Sequence, residues 1–224
     1  PGTWCLFGCT LAAGGSFKWL RDTVFAKERD LMNERGEDVY RLMTDLASQA
    51  QIGSEGLVFL PYLNGERTPY PDPYAKGVFF GLSYRHGLNE ISRSVMEGVT
   101  FSLRDTIELL RDADVSVNEV RASGGGAKSK LWLQMQADIY DASIVTTNVS
   151  ETGCVGAAML SAIGAGHFKD AEEACNQIIK PISVTEPQSK NVEMYEDFYQ
   201  TYRSLYGTLK DTFAKQAKLV EKWM

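Results

Sequence analysis

Apolar residues recur along this chain with two spacings, one helical and one of short runs closed by turns. Ile91, Val95, Val99, Leu103, Ile107 and Leu110 follow one another at three or four positions, which predicts a long helix over residues 89–112. The same spacing places Phe17, Leu20, Val24 and Phe25 on one helical face, after a break at residues 12–15. It does so again for Val39, Leu42, Met43 and Leu46 over residues 37–49. Tyr195, Phe198, Tyr199, Tyr202, Leu205, Tyr206, Leu209 and Phe213 stripe a final helix over 192–223, with Gly207 as a point of interruption. Small residues over 153–164 and a short segment at 171–178 give two further helices.

Between the helices lie runs with strand character: 3–9, 57–63, 78–84, 115–122 and 144–146. The polar, proline-rich stretch NGERTPYPDPYAKG separates two of them and reads as a loop. Strands alternating with helices predict a layered α/β domain, a mixed sheet flanked by helices. No repeat or low-complexity tract divides the chain, and it reads as one domain.

Composition narrows the class. The 224 residues include 23 Lys and Arg against 29 Asp and Glu, a net charge of −6, which argues against a nucleic-acid footprint. No apolar run approaches the ~18 residues needed to span a bilayer, so no membrane partner is expected. Cys5, Cys9, Cys154 and Cys175 form no C-x-x-C, and only His86 and His167 are available to join them as ligands. Free thiols, buried or half-buried, in a cytoplasmic protein are the expectation. The chain opens at Pro1 without an initiator Met, which reads as a processed or truncated product.

The strongest chemical signal is Ser123-Gly124-Gly125-Gly126, where a strand turns into the helix KSKLWLQMQADIY. Three glycines strip the turn of Cβ atoms, so a ligand can rest on bare backbone. A following helix N-terminus adds N–H donors and partial positive charge. A nucleotide suits both features; a tight turn requiring positive φ accounts equally well for the glycines. The spacing is neither a P-loop nor a dinucleotide fingerprint. Gly14-Gly15 offers a second bare surface, with Ser16 as a helix cap the plainer account. The small residues over 153–164 suit close packing in a core. Glu66-Arg67 could act on a phosphate or sugar or brace its loop, and His86 suits a solvent-facing or capping role. No nucleophile–base or metal-ligand constellation emerges, so no catalytic and no metal-binding residue is assigned.

Gly77-x-Phe79-x-Gly81-Leu82, seven residues, then Glu90-Ile91-x-x-Ser94-Val95-Met96-Glu97 resembles the second signature of the FGGY carbohydrate kinases at every specified position. LPYLNGERTPYPDPYAKGVFFGLSYRHG is similar to the xylulokinase branch of that family. GGGAKSKLWLQMQADI resembles its adenine-nucleotide motif, ETGCVGAAMLSAIGAG its small-residue helix, and PGTWCLFGCTLAAGGSFKWLRD the opening of its C-terminal domain.

That resemblance implies an actin-like, ribonuclease H-like ATPase fold, with residues 1–224 as the nucleotide-binding C-terminal domain. It implies ATP or ADP as ligand, Mg²⁺ in the intact enzyme, and a sugar bound mainly by an N-terminal domain absent from this chain. Gly124, Gly125, Gly126, Ala127 and Ser129 would line adenine and ribose; Gly14, Gly15, Phe17 and Lys18 would meet the nucleotide from the first helix. The family's catalytic aspartate and its phosphate hairpin belong upstream, so this chain alone is expected to be inactive. Xylulose is the implied acceptor. Gluconate, ribulose or glycerol, or a non-catalytic nucleotide-binding module, are the alternatives. Apolar faces left bare by a missing domain could pair two copies as a homodimer.

Overall fold

The computed structural model describes residues 5–224. In chain order the elements are α1 (Ala13–Thr23), α2 (Ala26–Glu34), α3 (Val39–Gln49), β1 (Val58–Leu60), β2 (Val78–Phe80), α4 (Leu88–Asp112), β3 (Glu119–Ala122), α5 (Lys130–Tyr140), β4 (Ser143–Thr147), α6 (Thr152–Gly164), α7 (Ala171–Ile178), β5 (Pro181–Thr185) and α8 (Ser189–Trp223). They fall into two compact units. One holds the described residues up to Val117 together with Gln188–Met224; the other holds Asn118–Pro187.

The first unit is built on α4. Its residues from Ser92 to Ser102 are buried on every side, because α1, α3, β1 and α8 pack around it. β1 and β2 pair antiparallel, Phe59 opposite Phe79, and these two rings lie 4.7 Å apart with Trp19 stacked beyond Phe59. Leu20, Phe25, Met43 and Met96 fill the space between the helices.

Polar side chains buried in α4 carry their own partners, as a low-dielectric interior requires. Glu97 accepts from Arg93 Nε at 2.8 Å, from the Gly53 N–H at 2.9 Å, from Ser54 Oγ at 2.8 Å and from Tyr195 Oη at 3.1 Å. Burial pushes the Glu97 carboxyl above the usual carboxylate range, and the Arg93 charge beside it counters that push. The segment Glu97 holds is unusual: Gly53, Ser54, Glu55 and Gly56 all have positive φ, at 78°, 48°, 53° and 89°. Non-glycine residues in that region are uncommon, and here the buried carboxylate fixes two of the four.

α8 closes this unit with a ladder of tyrosines. Tyr195, Tyr199, Tyr202 and Tyr206 share one face, and each phenol finds a partner: Arg93 and Glu97, Asp105, Tyr62, and Asp72 respectively. The stripe read from the sequence is therefore a core face, and Gly207 does not interrupt the helix.

In the second unit β3 and β4 run parallel, Val120 opposite Ile144, joined through α5; β5 adds antiparallel to β4. This is a mixed sheet with α5 packed on it.

Several local expectations are corrected. Thr3 and Trp4 of the expected first strand lie outside the described residues. Cys5–Cys9 is not a strand; Cys9 is tied to a loop, its N–H donating to Thr68 Oγ1 and the Thr68 N–H to its carbonyl. α1 begins at Ala13, so Ser16 lies inside the helix, where its hydroxyl donates to the Ala12 carbonyl rather than capping. Val24 is exposed. β1, β2 and β3 are shorter than the apolar runs that suggested them. The cysteines are free, with Cys5, Cys154 and Cys175 exposed and only Cys9 half-buried.

Candidate functional site

The glycine turn of the second unit follows directly from β3. Gly124 takes φ 80°, ψ −163°, a conformation that side chains other than hydrogen rarely adopt. Residues Gly125–Lys128 then form a single 3-10 turn, and Ser129 caps α5 by accepting the Trp132 N–H at 3.2 Å. The glycines thus stand one turn ahead of α5, separated from its first amides by Ala127 and Lys128. That intervening turn is not evident from the sequence pattern.

The space around the turn distinguishes the two accounts of its glycines. A Cβ built on Gly124 or Gly125 meets nothing within 4 Å, and one on Gly126 touches Trp132 at 3.6 Å, ordinary contact. Steric crowding from this chain therefore explains none of the three. Positive φ explains Gly124 alone. Gly125 leaves bare backbone facing open space, and Gly126 beside it stands in ordinary contact with Trp132, a surface on which a flat ring can lie. The Ser129 hydroxyl accepts from Trp132 and keeps its own proton to donate.

Gly14, Gly15, Phe17 and Lys18 belong to α1, in the first unit. Gly14, Gly15 and Lys18 are exposed, and neither glycine's missing Cβ would touch anything. Phe17 is buried and stacks on Tyr40, ring centroids 5.8 Å apart, so its side chain belongs to the core. Among these four positions, open backbone exists at the glycines.

The other polar candidates are structural. Glu66 is 3% exposed and accepts from Thr10 Oγ1, Leu11 N–H and its neighbour Arg67 N–H, at 2.8, 3.2 and 2.7 Å, which braces the loop rather than presenting a carboxylate. His86 accepts from the Ser83 N–H on Nδ1 and places Nε2 against the Glu55 carbonyl, closing a turn. The small residues of α6 do not form a tight core; only Met159 is buried, and its glycines have open space where Cβ atoms would be. Among the described residues no group of three or more His, Cys, Asp or Glu is placed to hold a metal ion. No helix among them is long and apolar enough to cross a membrane.

Likeness to known proteins gives the class of this fold. Residues 1–165 match the model for the FGGY family of carbohydrate kinases, C-terminal domain, and the chain belongs to that family. It is 41% identical over 214 residues to a xylulose kinase of Staphylococcus epidermidis, covering 96% of this chain and 41% of that protein. A gluconokinase of Bacillus subtilis is 30% identical over 215 residues, 96% of this chain and 42% of the relative. The solved structure of ligand-bound xylulose kinase from Lactobacillus acidophilus superposes with a TM-score of 0.81 at 31% identity, covering 92% of this chain and 40% of that one. The fold is the actin-like ATPase architecture of these kinases. The chain spans about two fifths of the length of the relatives it matches.

Proposed function

We propose that this chain is the nucleotide-binding C-terminal part of a sugar kinase that transfers the γ-phosphate of ATP to a hydroxyl of D-xylulose. The observation that carries the reading is the turn at Gly124–Gly126, where two glycines have neither a crowding neighbour nor a positive φ to require them. Bare backbone facing open space suits the faces of adenine and ribose. In this reading Gly124, Gly125 and Gly126 lie against the base and sugar, and Ala127 and Ser129 complete the surface. Gly14, Gly15, Phe17 and Lys18 of α1 are proposed as nucleotide-binding positions on the family resemblance alone.

Mg²⁺, where bound in the intact enzyme, would supply positive charge against the phosphates. No residue of this chain is assigned to hold it. Positioning supplies much of the rate in such transfers, and the general base belongs to the remainder of the protein. This chain alone is therefore proposed to bind nucleotide and not to turn over. The free thiols support a reducing, cytoplasmic setting.

Titrating ADP into this chain and into Gly125→Asp tests the reading. The side chain fills the open space and blocks approach of the base to the backbone, so the variant is expected to lose binding; equal affinity in both removes the assignment. The acceptor is a separate question, kept open by the gluconokinase likeness. Turnover of a sugar panel by the full-length enzyme decides it, with no xylulose activity favouring gluconate or another polyol.

A further inference from the structure

At the contact between α4 and α8 a buried carboxyl has no ion-pair partner among the described residues. Asp105 on α4 is 5% exposed, and its one hydrogen bond among the described residues comes from Tyr199 Oη to Oδ1 at 2.7 Å. A phenol is a neutral donor, and Oδ2 is left for a proton. Two cations lie nearby, and among the described residues neither pairs with Asp105: Arg104 is engaged elsewhere, while Arg203 attracts the carboxylate from a distance. Arg104 pairs with Glu108 at 3.1 Å and with Glu196, and its guanidinium lies 4.0 Å from the centre of the Tyr199 ring. Arg203 lies toward Tyr199 and Tyr70.

We infer that α8 is a proton-responsive strap, held most firmly on α4 when the Asp105 carboxyl carries its proton and loosened when that proton leaves. The groups facing this carboxyl are Arg104 and Glu108 from α4, Glu196, Tyr199, Tyr202 and Arg203 from α8, and Tyr62, Glu66 and Tyr70 from the segment after β1. Burial is the dominant influence and favours the neutral acid; Glu66 adds to it, while Tyr199, Arg203 and Arg104 oppose it. The balance lifts the carboxyl from 3.8 to about 6.

The sign follows by linkage. Where α8 is released, Asp105 meets water and titrates in the ordinary range, so the docked state binds the proton more tightly. Docking is strongest below the ordinary carboxylate range and weakens as pH climbs through about 6. Two units of difference correspond to a ceiling of roughly 100-fold in the opening equilibrium. Between pH 5 and 7.5 about tenfold of that is expressed. Because Tyr195, Tyr202 and Tyr206 also hold neighbouring turns of α8 through hydrogen bonds of their own, the response is a loosening rather than a release.

Native-state hydrogen exchange of the amides of residues 195–206, corrected for intrinsic rates, reads this directly. Over that pH span wild type is expected to lose about tenfold more protection than Asp105→Asn. A pH dependence equal in both, or protection in wild type that does not change, overturns the inference. Tyr199→Phe gives an independent reading if the Asn variant misfolds. Loss of the donor that favours the carboxylate should steepen the loosening, and an unchanged or shallower dependence counts against the strap.

Discussion

Gly98 of α4 passes so close to Phe59 of β1 that a Cβ built on the glycine would stand 2.1 Å from the Phe59 carbonyl oxygen. The obstacle is backbone on a buried strand and cannot rotate away. Gly98→Ala must therefore push α4 off β1, disturbing the helix around which the first unit is packed. A loss of about 3 kcal/mol, the upper end of overpacking costs, is expected in urea unfolding. A loss below about 0.5 kcal/mol would show that the two elements have slack between them.

Glu97→Ala leaves Arg93 charged, buried and without its carboxylate, and frees the Gly53 N–H and Ser54 hydroxyl it held. Breaking one partner of a buried pair costs about 3–5 kcal/mol. Replacing both, as Arg93→Met with Glu97→Leu, removes the orphaned charge and should recover part of that loss. A double-mutant cycle in thermal or urea unfolding measures the difference, and a double variant no better than Glu97→Ala would contradict this account.

The glycines of the candidate turn should separate by role. Gly124→Ala is strained at φ 80° whatever the space, and should cost about 1 kcal/mol of stability. Gly125→Ala meets nothing and should stay within about 0.5 kcal/mol of wild type. Nucleotide affinity should respond the other way, with Gly125→Ala intact in fold yet weakened toward ADP. Parallel unfolding curves and ADP titrations on both variants check this.

Ser129 allows charge to be set against capping. Ser129→Ala deletes the bond to the Trp132 N–H and should cost about 1 kcal/mol, whereas Ser129→Asp keeps a good cap. It also replaces the hydroxyl proton offered to the ribose with an acceptor-only carboxylate, so Ser129→Asp should be as stable as wild type and bind ADP less tightly. Undiminished ADP binding by that variant would take Ser129 out of the nucleotide surface.

What the residues disclosed, and what they did not, follows from burial. The α8 stripe is legible because one face is buried, and periodicity reports burial; α4 is buried on every side from Ser92 to Ser102, yet its apolar residues keep helical spacing because polar ones between them, such as Arg93, Glu97 and Thr100, are paired inside the core. α2 has no buried residue, and β5 leaves Ile182 and Val184 exposed at 68% and 56%, so neither carries a pattern to read. The strand expected at residues 3–9 was suggested by aromatic content, but its described part is held by loop hydrogen bonds that no local pattern announces. At the candidate site the glycines are evident in the sequence. The open space beside them, the 3-10 turn before α5 and the burial of Phe17 depend on long-range packing and are not.

The first unit is discontinuous: α8 follows the whole of the second unit in the chain, yet three of its tyrosines sit fully inside the first unit's core. This sets an order of assembly during synthesis. Residues 118–187 are contiguous and can close as soon as they clear the ribosome, while α4 waits with its tyrosine-facing side bare until α8 is made. The earlier-translated half is thus the later one to mature, and during that interval its uncovered face is a target for chaperones.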